Sequence, residues 1–259
     1  MLEISLSNHK VQIDAGELVS FMVDGHEYIH QKGSPGWRSS DTEMFPIIGP
    51  TNEADFKVVT ARGEAVQDQH GLLREMEYEL KSQTETSVVY QKNYTKGTSV
   101  RNSKFPIKST AEILSWPYNF QFKKSFELKE NQLEVSFAIS GEIGMPFMLG
   151  YHPAFKLSSA QPVIVADNKV IKLTEVLAVG NRAMPILNCD TIALRDERDI
   201  TIRTEGFGNF MLWTEVDNMI CIEPITFYPY TVKQSNLSQG FQFLEGEEKE
   251  FNFLIHIGS

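Results

Sequence analysis

The residues best suited to chemistry are two histidines, an arginine and a glutamate at the ends of short apolar runs. His152 follows an apolar run and stands between a tyrosine and a proline. His70 precedes a glycine, and Arg74 comes four residues later, after an apolar pair. Glu223 ends the apolar run 219–222 and is followed by a proline. Because a carboxylate can accept a proton and a protonated imidazole can donate one, these residues predict an acid/base site for a polar substrate.

A cyclic sugar hemiacetal is a substrate that needs both groups at once. A base removes the proton of the C1 hydroxyl while an acid protonates the ring oxygen, and the ring opens to the aldehyde. Rotation about the C1–C2 bond and closure on the other face then invert the anomer, so no cofactor is required. Matched acid/base catalysis contributes on the order of 10²- to 10⁴-fold. A second histidine or an arginine that hydrogen-bonds the ring oxygen would add electrostatic stabilisation.

The composition indicates an ordinary soluble globular protein. The chain has 259 residues, of which 41% are hydrophobic and 22% charged, which excludes a disordered chain. No linker, composition shift or fixed-period repeat divides it, so we expect a single domain over residues 1–259. The formal net charge of −10 argues against nucleic acid and anionic membranes as partners. The sequence gives no indication of the oligomeric state.

The two cysteines limit the possible metal and disulfide chemistry, and the amino terminus indicates the expected compartment. Cys189 and Cys221 have neither the spacing of a zinc site nor that of a disulfide framework. We expect both to be buried as small apolar residues, and we expect no metal. The first residues lack a basic segment followed by an apolar core, and no apolar run approaches the roughly 20 residues of a membrane span. We therefore expect a cytoplasmic protein.

Strands must position these residues, because apolar and polar residues alternate along much of the chain. The pattern is clearest over residues 133–139 and 251–257, and each segment predicts a half-buried strand. Turn signals recur at short intervals and amphipathic helices are nearly absent, which is typical of a sandwich or barrel. Residues 33–54 are the least strand-like. We predict that they form a shaped loop over the site.

Three segments together resemble a known family. Residues 69–74, 150–155 and 221–224, in that order, are similar to motifs of the aldose 1-epimerase (galactose mutarotase) family, closest to its LacX-like branch. Residues 15–28 and 44–49 also resemble parts of that branch, so nearly the whole chain is covered. The resemblance implies an all-β fold, the β-supersandwich of galactose mutarotase, with large antiparallel sheets and an open cleft. It also implies a small-molecule aldose as the substrate.

The resemblance assigns a role to each motif residue. Glu223 would be the general base on the C1 hydroxyl, His152 the general acid at the ring oxygen, and His70 an assistant at the same oxygen. Arg74 would lie beside the site as a substrate-binding neighbour. Asp190 resembles an acidic position that binds sugar hydroxyls, although an aspartate at this point also fits an ordinary turn. Three tryptophans could stack on a sugar face or serve as packing; they are Trp37, Trp116 and Trp213.

One departure from the family leaves the substrate open. Relatives in this branch usually carry an arginine directly after the segment that ends at Gly49, whereas this chain has Pro50. Arg38, in the preceding loop, is the residue that could replace its charge. The missing arginine also favours an alternative, a non-catalytic sugar-binding or regulatory module with the same fold. A hexose-6-phosphate epimerase is a further alternative, which would need several arginines converging on a phosphate. The acidic net charge makes a phosphorylated hexose a less favoured substrate than a free sugar.

Overall fold

The alternating pattern folds into antiparallel strands almost throughout the chain. The structure is a computed structural model that describes residues 1–258. The helices are α1 (Leu173–Val179) and short 3-10 turns at Asn52–Ala54, Leu73–Glu75, Gly180–Arg182, Pro229–Thr231 and Gln234–Gly240. The strands in chain order are β1 (Leu2–Leu6), β2 (His9–Asp14), β3 (Glu17–Val23), β4 (His26–Glu27), β5 (Glu43–Met44), β6 (Lys57–Thr60), β7 (Gly63–Val66), β8 (Glu79–Gln83), β9 (Ser87–Tyr94), β10 (Val100–Arg101), β11 (Ile113–Leu114), β12 (Phe120–Lys129), β13 (Gln132–Gly141), β14 (Pro146–Phe147), β15 (Gly150–Tyr151), β16 (Ala154–Lys156), β17 (Val163–Ala166), β18 (Lys169–Lys172), β19 (Met184–Leu187), β20 (Thr191–Arg195), β21 (Ile200–Glu205), β22 (Asn209–Trp213), β23 (Met219–Ile225), β24 (Gln242–Phe243) and β25 (Glu248–Ile257). The prediction of an all-β protein is confirmed.

A nine-stranded antiparallel sheet forms the base of the molecule. Its strand order is β18-β17-β20-β21-β25-β13-β12-β9-β8. The long central strands bury alternate residues, as the period-two pattern predicts: along β13, Leu133, Val135, Phe137 and Ile139 are fully buried and their neighbours are half-buried. Because successive side chains of a strand point to opposite faces, this sheet presents one continuous apolar face.

A second, six-stranded sheet lies over that apolar face and carries the candidate site. Its order is β19-β22-β23-β15-β5, and β16 also pairs with β23. Aromatic side chains fill the space between the two sheets. The ring of Tyr151 on β15 lies 5.0 Å from that of Phe137 and 5.1 Å from that of Phe253, measured between centroids. The site strands are thus fixed from below by a packed core.

A buried ionic cluster lies beneath the site, on the apolar face of β12. Lys124 is fully buried, and its Nζ donates to Asp41 Oδ2 at 2.8 Å and to Glu43 Oε1 at 2.6 Å. The Tyr151 hydroxyl donates to Asp41 Oδ2 at 2.6 Å. Burial raises the pKa of Asp41 to about 6. The cluster ties residues 33–54 to the lower sheet, because both carboxylates belong to that otherwise irregular stretch.

The remaining elements flank these two sheets. Strands β1–β4 form a separate meander, and three two-stranded ribbons complete the fold. Both cysteines are buried and free, as the sequence predicts. No helix within residues 1–258 has the length and apolar character that crossing a membrane requires.

Candidate active site

The register of the upper sheet places His152 opposite Glu223. Gly150 pairs with Ile225 and Ala154 pairs with Cys221, so β15, β16 and β23 share one antiparallel register. In that register His152 and Glu223 face each other. The backbone of His152 bonds away from β23, with its N–H donating to Thr42 O at 2.8 Å and its C=O accepting from Thr42 N–H at 3.3 Å. His152 and Glu223 therefore form a non-hydrogen-bonded pair, the kind in which opposed side chains come closest.

Two prolines flank this pair and explain the break between β15 and β16. Pro153 follows His152, and Pro224 follows Glu223. Neither has an N–H to donate, so the ladder between the strands is interrupted on both sides of the pair. The interruption lies in a buried part of the sheet, since every residue of β23 is buried. The sequence motifs thus mark a local opening in the sheet that exposes the two side chains to the cleft.

The two side chains are in contact and nearly enclosed. His152 Nε2 lies 3.3 Å from Glu223 Oε1, and the side chains are 10% and 3% exposed. Burial raises the pKa of Glu223 to about 8, although the nearby Arg74 charge opposes the shift. Burial also lowers the pKa of His152 to about 3, and Arg74 adds to that shift. Around neutral pH the pair accordingly holds one proton, the condition for one partner to act as acid and the other as base.

His70 approaches the same pair from a tight turn. Its backbone is left-handed, with φ of 70°, and its ring centroid lies 6.3 Å from that of His152. The Gly49 N–H donates to His70 Nδ1 at 3.2 Å. Burial lowers the pKa of His70 well below its usual value, and Arg74 lowers it further. A neutral imidazole whose Nδ1 accepts a hydrogen bond carries its proton on Nε2, so His70 can donate from that atom.

Gly71 makes this turn possible. It adopts φ of 79°, and a Cβ at this position would collide with the carbonyl of Phe45. The turn is held against that segment from both sides, since the His70 C=O accepts from Phe45 N–H and the Phe45 C=O accepts from Leu73 N–H, each at 3.1 Å. Only glycine fits such a conformation at this distance. This explains why a glycine follows the histidine in the motif.

These side chains line one cleft of about 520 Å³. The Trp37 ring lies against His152, with centroids 4.2 Å apart, and Trp213 approaches from another side at 5.9 Å. Arg74 also lines the cleft, and its Nε is buried without a hydrogen-bond partner within residues 1–258. The enclosed volume is of a size that accommodates a small ligand.

Comparison with known families agrees with the resemblance of the sequence motifs. The sequence profile described as Aldose 1-epimerase matches residues 53–224, which is more than half of the chain. The chain belongs to the aldose 1-epimerase family. Membership of the LacX-like branch of this family stays a prediction. A search of curated protein sequences found no match.

Solved structures share the fold of this aldose 1-epimerase family member at low sequence identity. A galactose mutarotase related enzyme from Lactobacillus acidophilus is 18% identical, with a TM-score of 0.77 over 100% of this chain and 97% of that one. A galactose mutarotase-like protein from Lactobacillus casei is 16% identical, with a TM-score of 0.79 over 100% of both chains. One from Clostridium acetobutylicum is 14% identical, with a TM-score of 0.69 over 99% of this chain and 94% of that one. These likenesses show a galactose mutarotase-like fold, as predicted.

Two predicted ligands of this aldose 1-epimerase family member do not reach the cleft. Asp190 is exposed just before β20, where its Oδ1 accepts from the Thr191 hydroxyl at 2.8 Å. That contact is local, to the next residue of the chain. Arg38 is exposed beside Trp37 and is not among the cleft residues. The structure therefore brings Glu223, His152, His70 and Arg74 together and leaves Asp190 and Arg38 outside.

The sequence analysis missed three cations of the cleft. Lys104, Lys108 and Arg182 line it, and all three lie in loops or short turns. Such segments have no periodic pattern from which a facing direction can be read. The prediction of a phosphate site rested on arginines, and two of these residues are lysines. A count of all cations in the irregular segments would have included them.

One group of side chains could offer ligands to a metal ion. Donor atoms of His152, Cys221 and Glu223 lie within 4.8 Å of one another, and it is the single group of this kind in the described part of the chain. Cys221 and Glu223 meet because residues two apart on a strand share a face. Burial raises the pKa of the Cys221 thiol well above its usual value. A thiol held in its neutral form is a weak ligand, and the sequence predicts no metal here.

Proposed function

We propose that this protein is an aldose 1-epimerase that interconverts the α and β anomers of an aldose by general acid/base catalysis. The observation that carries the proposal is the 3.3 Å contact between His152 Nε2 and Glu223 Oε1 at the base of a cleft. Membership of the aldose 1-epimerase family supports it. The acid and the base that ring opening requires are thereby held on opposed strands of one sheet.

In the proposed reaction, the carboxylate of Glu223 takes the proton of the C1 hydroxyl while protonated His152 donates to the ring oxygen. The C1–O5 bond breaks and the aldehyde forms. Rotation about C1–C2 and the reverse proton transfers close the ring on the other face. The reactive state, with the proton on His152, has the same number of protons as the state with the proton on Glu223. Its population is therefore independent of pH as long as the pair holds one proton.

His70 and the surrounding side chains would complete the site. The Nε2–H of neutral His70 faces the side-chain amide of Gln69 at 3.1 Å and would donate instead to the ring oxygen of a bound sugar, where negative charge develops as the C–O bond breaks. The Arg74 charge opposes the raised pKa of Glu223 and so favours its carboxylate form. The Trp37 ring fixes the orientation of the His152 imidazole by packing on its face. A sugar in the cleft would meet these groups without a cofactor.

The direct test is the rate of anomer exchange. We expect the purified protein to accelerate the exchange of at least one aldose well above the spontaneous rate, measured by NMR saturation transfer and by polarimetry on freshly dissolved anomers. Neutral hexoses and pentoses and their phosphates should all be tried, with heat-denatured protein as the control. If the protein binds a sugar without speeding its exchange, the chain is a sugar-binding module and the proposal is wrong.

The pH profile of kcat/KM tests the acid/base pair. Below the Glu223 pKa of about 8 and above the His152 pKa of about 3, the pair holds one proton and the rate should be flat. Above pH about 8 the pair loses that proton and no acid remains, so the rate should fall about tenfold per pH unit. Below pH about 3 both groups are protonated and no base remains. Exchange rates from pH 5 to 10, corrected for the spontaneous reaction, measure the alkaline limb. A midpoint near pH 6.5, the value of an ordinary histidine, would contradict this assignment.

A further inference from the structure

The cleft has an excess of positive charge in an otherwise acidic protein. Its lining includes four cations and two carboxylates, while the whole chain has a net charge of −10. The cations are Arg74, Lys104, Lys108 and Arg182, and the carboxylates are Glu215 and Glu223. A cleft that is opposite in sign to its protein attracts anions, because its walls focus the field of the local charges. A neutral sugar has no net charge on which this field can act.

Two of the cations, Lys104 and Lys108, lie on the side of the cleft where His70 lies. Lys104 Nζ is 3.5 Å from the backbone oxygen of Gln69. The side-chain amide of Gln69 in turn lies 3.1 Å from His70 Nε2. Lys108 belongs to the same loop as Lys104, and its backbone N–H donates to the Lys104 oxygen at 2.8 Å. The loop that carries both lysines therefore borders the histidine.

Arg182 lines the same cleft from the side of β22, because the 3-10 turn Gly180–Arg182 leads into β19, whose Met184 pairs with Leu212 of β22. Its guanidinium stands 5.6 Å from the centroid of the Tyr230 ring. Pro229, the residue before Tyr230, packs on Gly49, and the Gly49 N–H is the donor to His70 Nδ1. The lysine loop and Arg182 therefore line the cleft from two sides, and Trp37 and Trp213 pack on His152.

Most of this positive charge is uncompensated by protein carboxylates. Within residues 1–258, no ion pair involves Arg74, Lys108 or Arg182. Lys104 does have a partner, since its Nζ lies 3.3 Å from Asp68 Oδ1. Charged donors without a carboxylate partner are available to bind an anion.

The chemistry of a pyranose connects these cations to one position on the substrate. The ring oxygen is bonded to C1 on one side and to C5 on the other. If C1 is at Glu223 and the ring oxygen is at the two histidines, the C6 group attached to C5 projects past His70. We infer that the substrate is an anionic aldose, whose charged group on C6 is bound by Lys104, Lys108 and Arg182. This inference rests on the proposed function, because the sugar is oriented by the acid and the base.

A phosphate matches the three cations better than a carboxylate does. A phosphate carries close to two negative charges at neutral pH and has three oxygens that accept hydrogen bonds, whereas a carboxylate has one charge and two oxygens. The planar Arg182 group can bind two of the oxygens at once, and the lysines act as point charges. A 6-phosphate is therefore the expected form, and a hexuronate presents the same sign of charge with fewer acceptors.

The test compares neutral, phosphorylated and carboxylated forms of the same sugar. We expect kcat/KM for the exchange of glucose 6-phosphate or galactose 6-phosphate to exceed that of the neutral hexose by about tenfold or more. The corresponding hexuronate should lie between the two. The preference should shrink in about 0.5 M NaCl, because salt screens exposed charges. Equal values for the neutral and phosphorylated sugars would overturn the inference while the epimerase assignment stands.

The affinity for unreactive sugar analogues measures the effect of the charged group apart from catalysis. The probes 1,5-anhydroglucitol and its 6-phosphate lack the C1 hydroxyl and cannot react, so calorimetry reports their affinity alone. We expect the phosphate form to bind about tenfold tighter or more, and each of Lys108→Gln and Arg182→Gln to reduce that ratio about tenfold. Lys169→Gln, on the exposed hairpin strand β18, is the matched control and should leave the ratio unchanged. An affinity ratio near one overturns the inference, and a high ratio without turnover of any aldose overturns the epimerase assignment instead.

Discussion

Replacing Glu223 by glutamine should slow anomer exchange by about 10²- to 10⁴-fold, the usual contribution of a general base. The amide has the shape of the carboxyl group but cannot take the proton of the C1 hydroxyl. The glutamine can still contact His152 Nε2, so the fold and the binding of the sugar should survive. Saturation-transfer NMR measures the rate, and calorimetry with a non-reacting sugar analogue measures the binding.

The matched control for this substitution is Glu215→Gln. Glu215 also lines the cleft, but it is exposed at the rim. Both substitutions replace a carboxyl group of the cleft by an amide of the same shape, so any general effect of such a replacement is common to them. The large loss of rate should appear for Glu223 alone. A Glu223→Gln protein that keeps the full rate would show that the base is elsewhere, even if the protein is an epimerase.

Replacing Lys124 by methionine should lower the free energy of unfolding by about 3–5 kcal/mol, because two buried carboxylates lose their shared cation. The melting temperature should fall by roughly 6–20 °C for a protein of this size. The loss should be greater at pH 8 than at pH 5. Without Lys124 the carboxylates have raised pKa values in the folded state, so protonation at lower pH removes part of their repulsion. Thermal and urea denaturation at the two pH values measure the effect.

Lys123→Met is the control, since it changes the neighbouring residue of the same strand. Lys123 pairs with Glu248 at 3.4 Å on the exposed face, where the side chains are 40% and 38% exposed. An exposed pair of this kind contributes about 0–1 kcal/mol. The strand, its β-propensity and the substituted side chain are the same in both variants, so burial accounts for the difference. Equal losses from Lys123→Met and Lys124→Met would contradict the ionic account of the cluster.

The sequence predicted the strands and the motif residues because both leave local signals. The alternation over residues 133–139 is a direct consequence of one buried face, and it extends to the observed limits of β13 within two residues at each end. His152 and Glu223 were recognisable as polar residues at the ends of apolar runs. Their roles as acid and base stay predictions, although the structure brings their side chains together.

The buried cluster has a local signal in the sequence, on strand β12. Lys124 occupies the buried face of β12, in phase with Phe122 and Phe126. A lysine at a core position of a period-two pattern requires buried partners. Which carboxylates these are could not be predicted, since Asp41 and Glu43 lie 83 and 81 residues earlier, beside and within the two-residue strand β5 of an otherwise irregular segment. The facing direction of the cleft cations Lys108 and Arg182 left no signal in the sequence, because the spacing of residues in loops does not determine where they point.

The common register of β15, β16 and β23 also bears on how the protein can vary. Insertion of one residue into the β15–β16 segment or into β23 would turn the side chain of His152 or Glu223 to the opposite face of the sheet. The acid and the base would then be separated. Insertions in the loop with Lys104 and Lys108, or near Arg182, would leave the pair intact. We therefore expect length changes among relatives to be rare between residues 150 and 154 and frequent in these loops. A lineage could in this way exchange one sugar for another without rebuilding its proton-transfer chemistry.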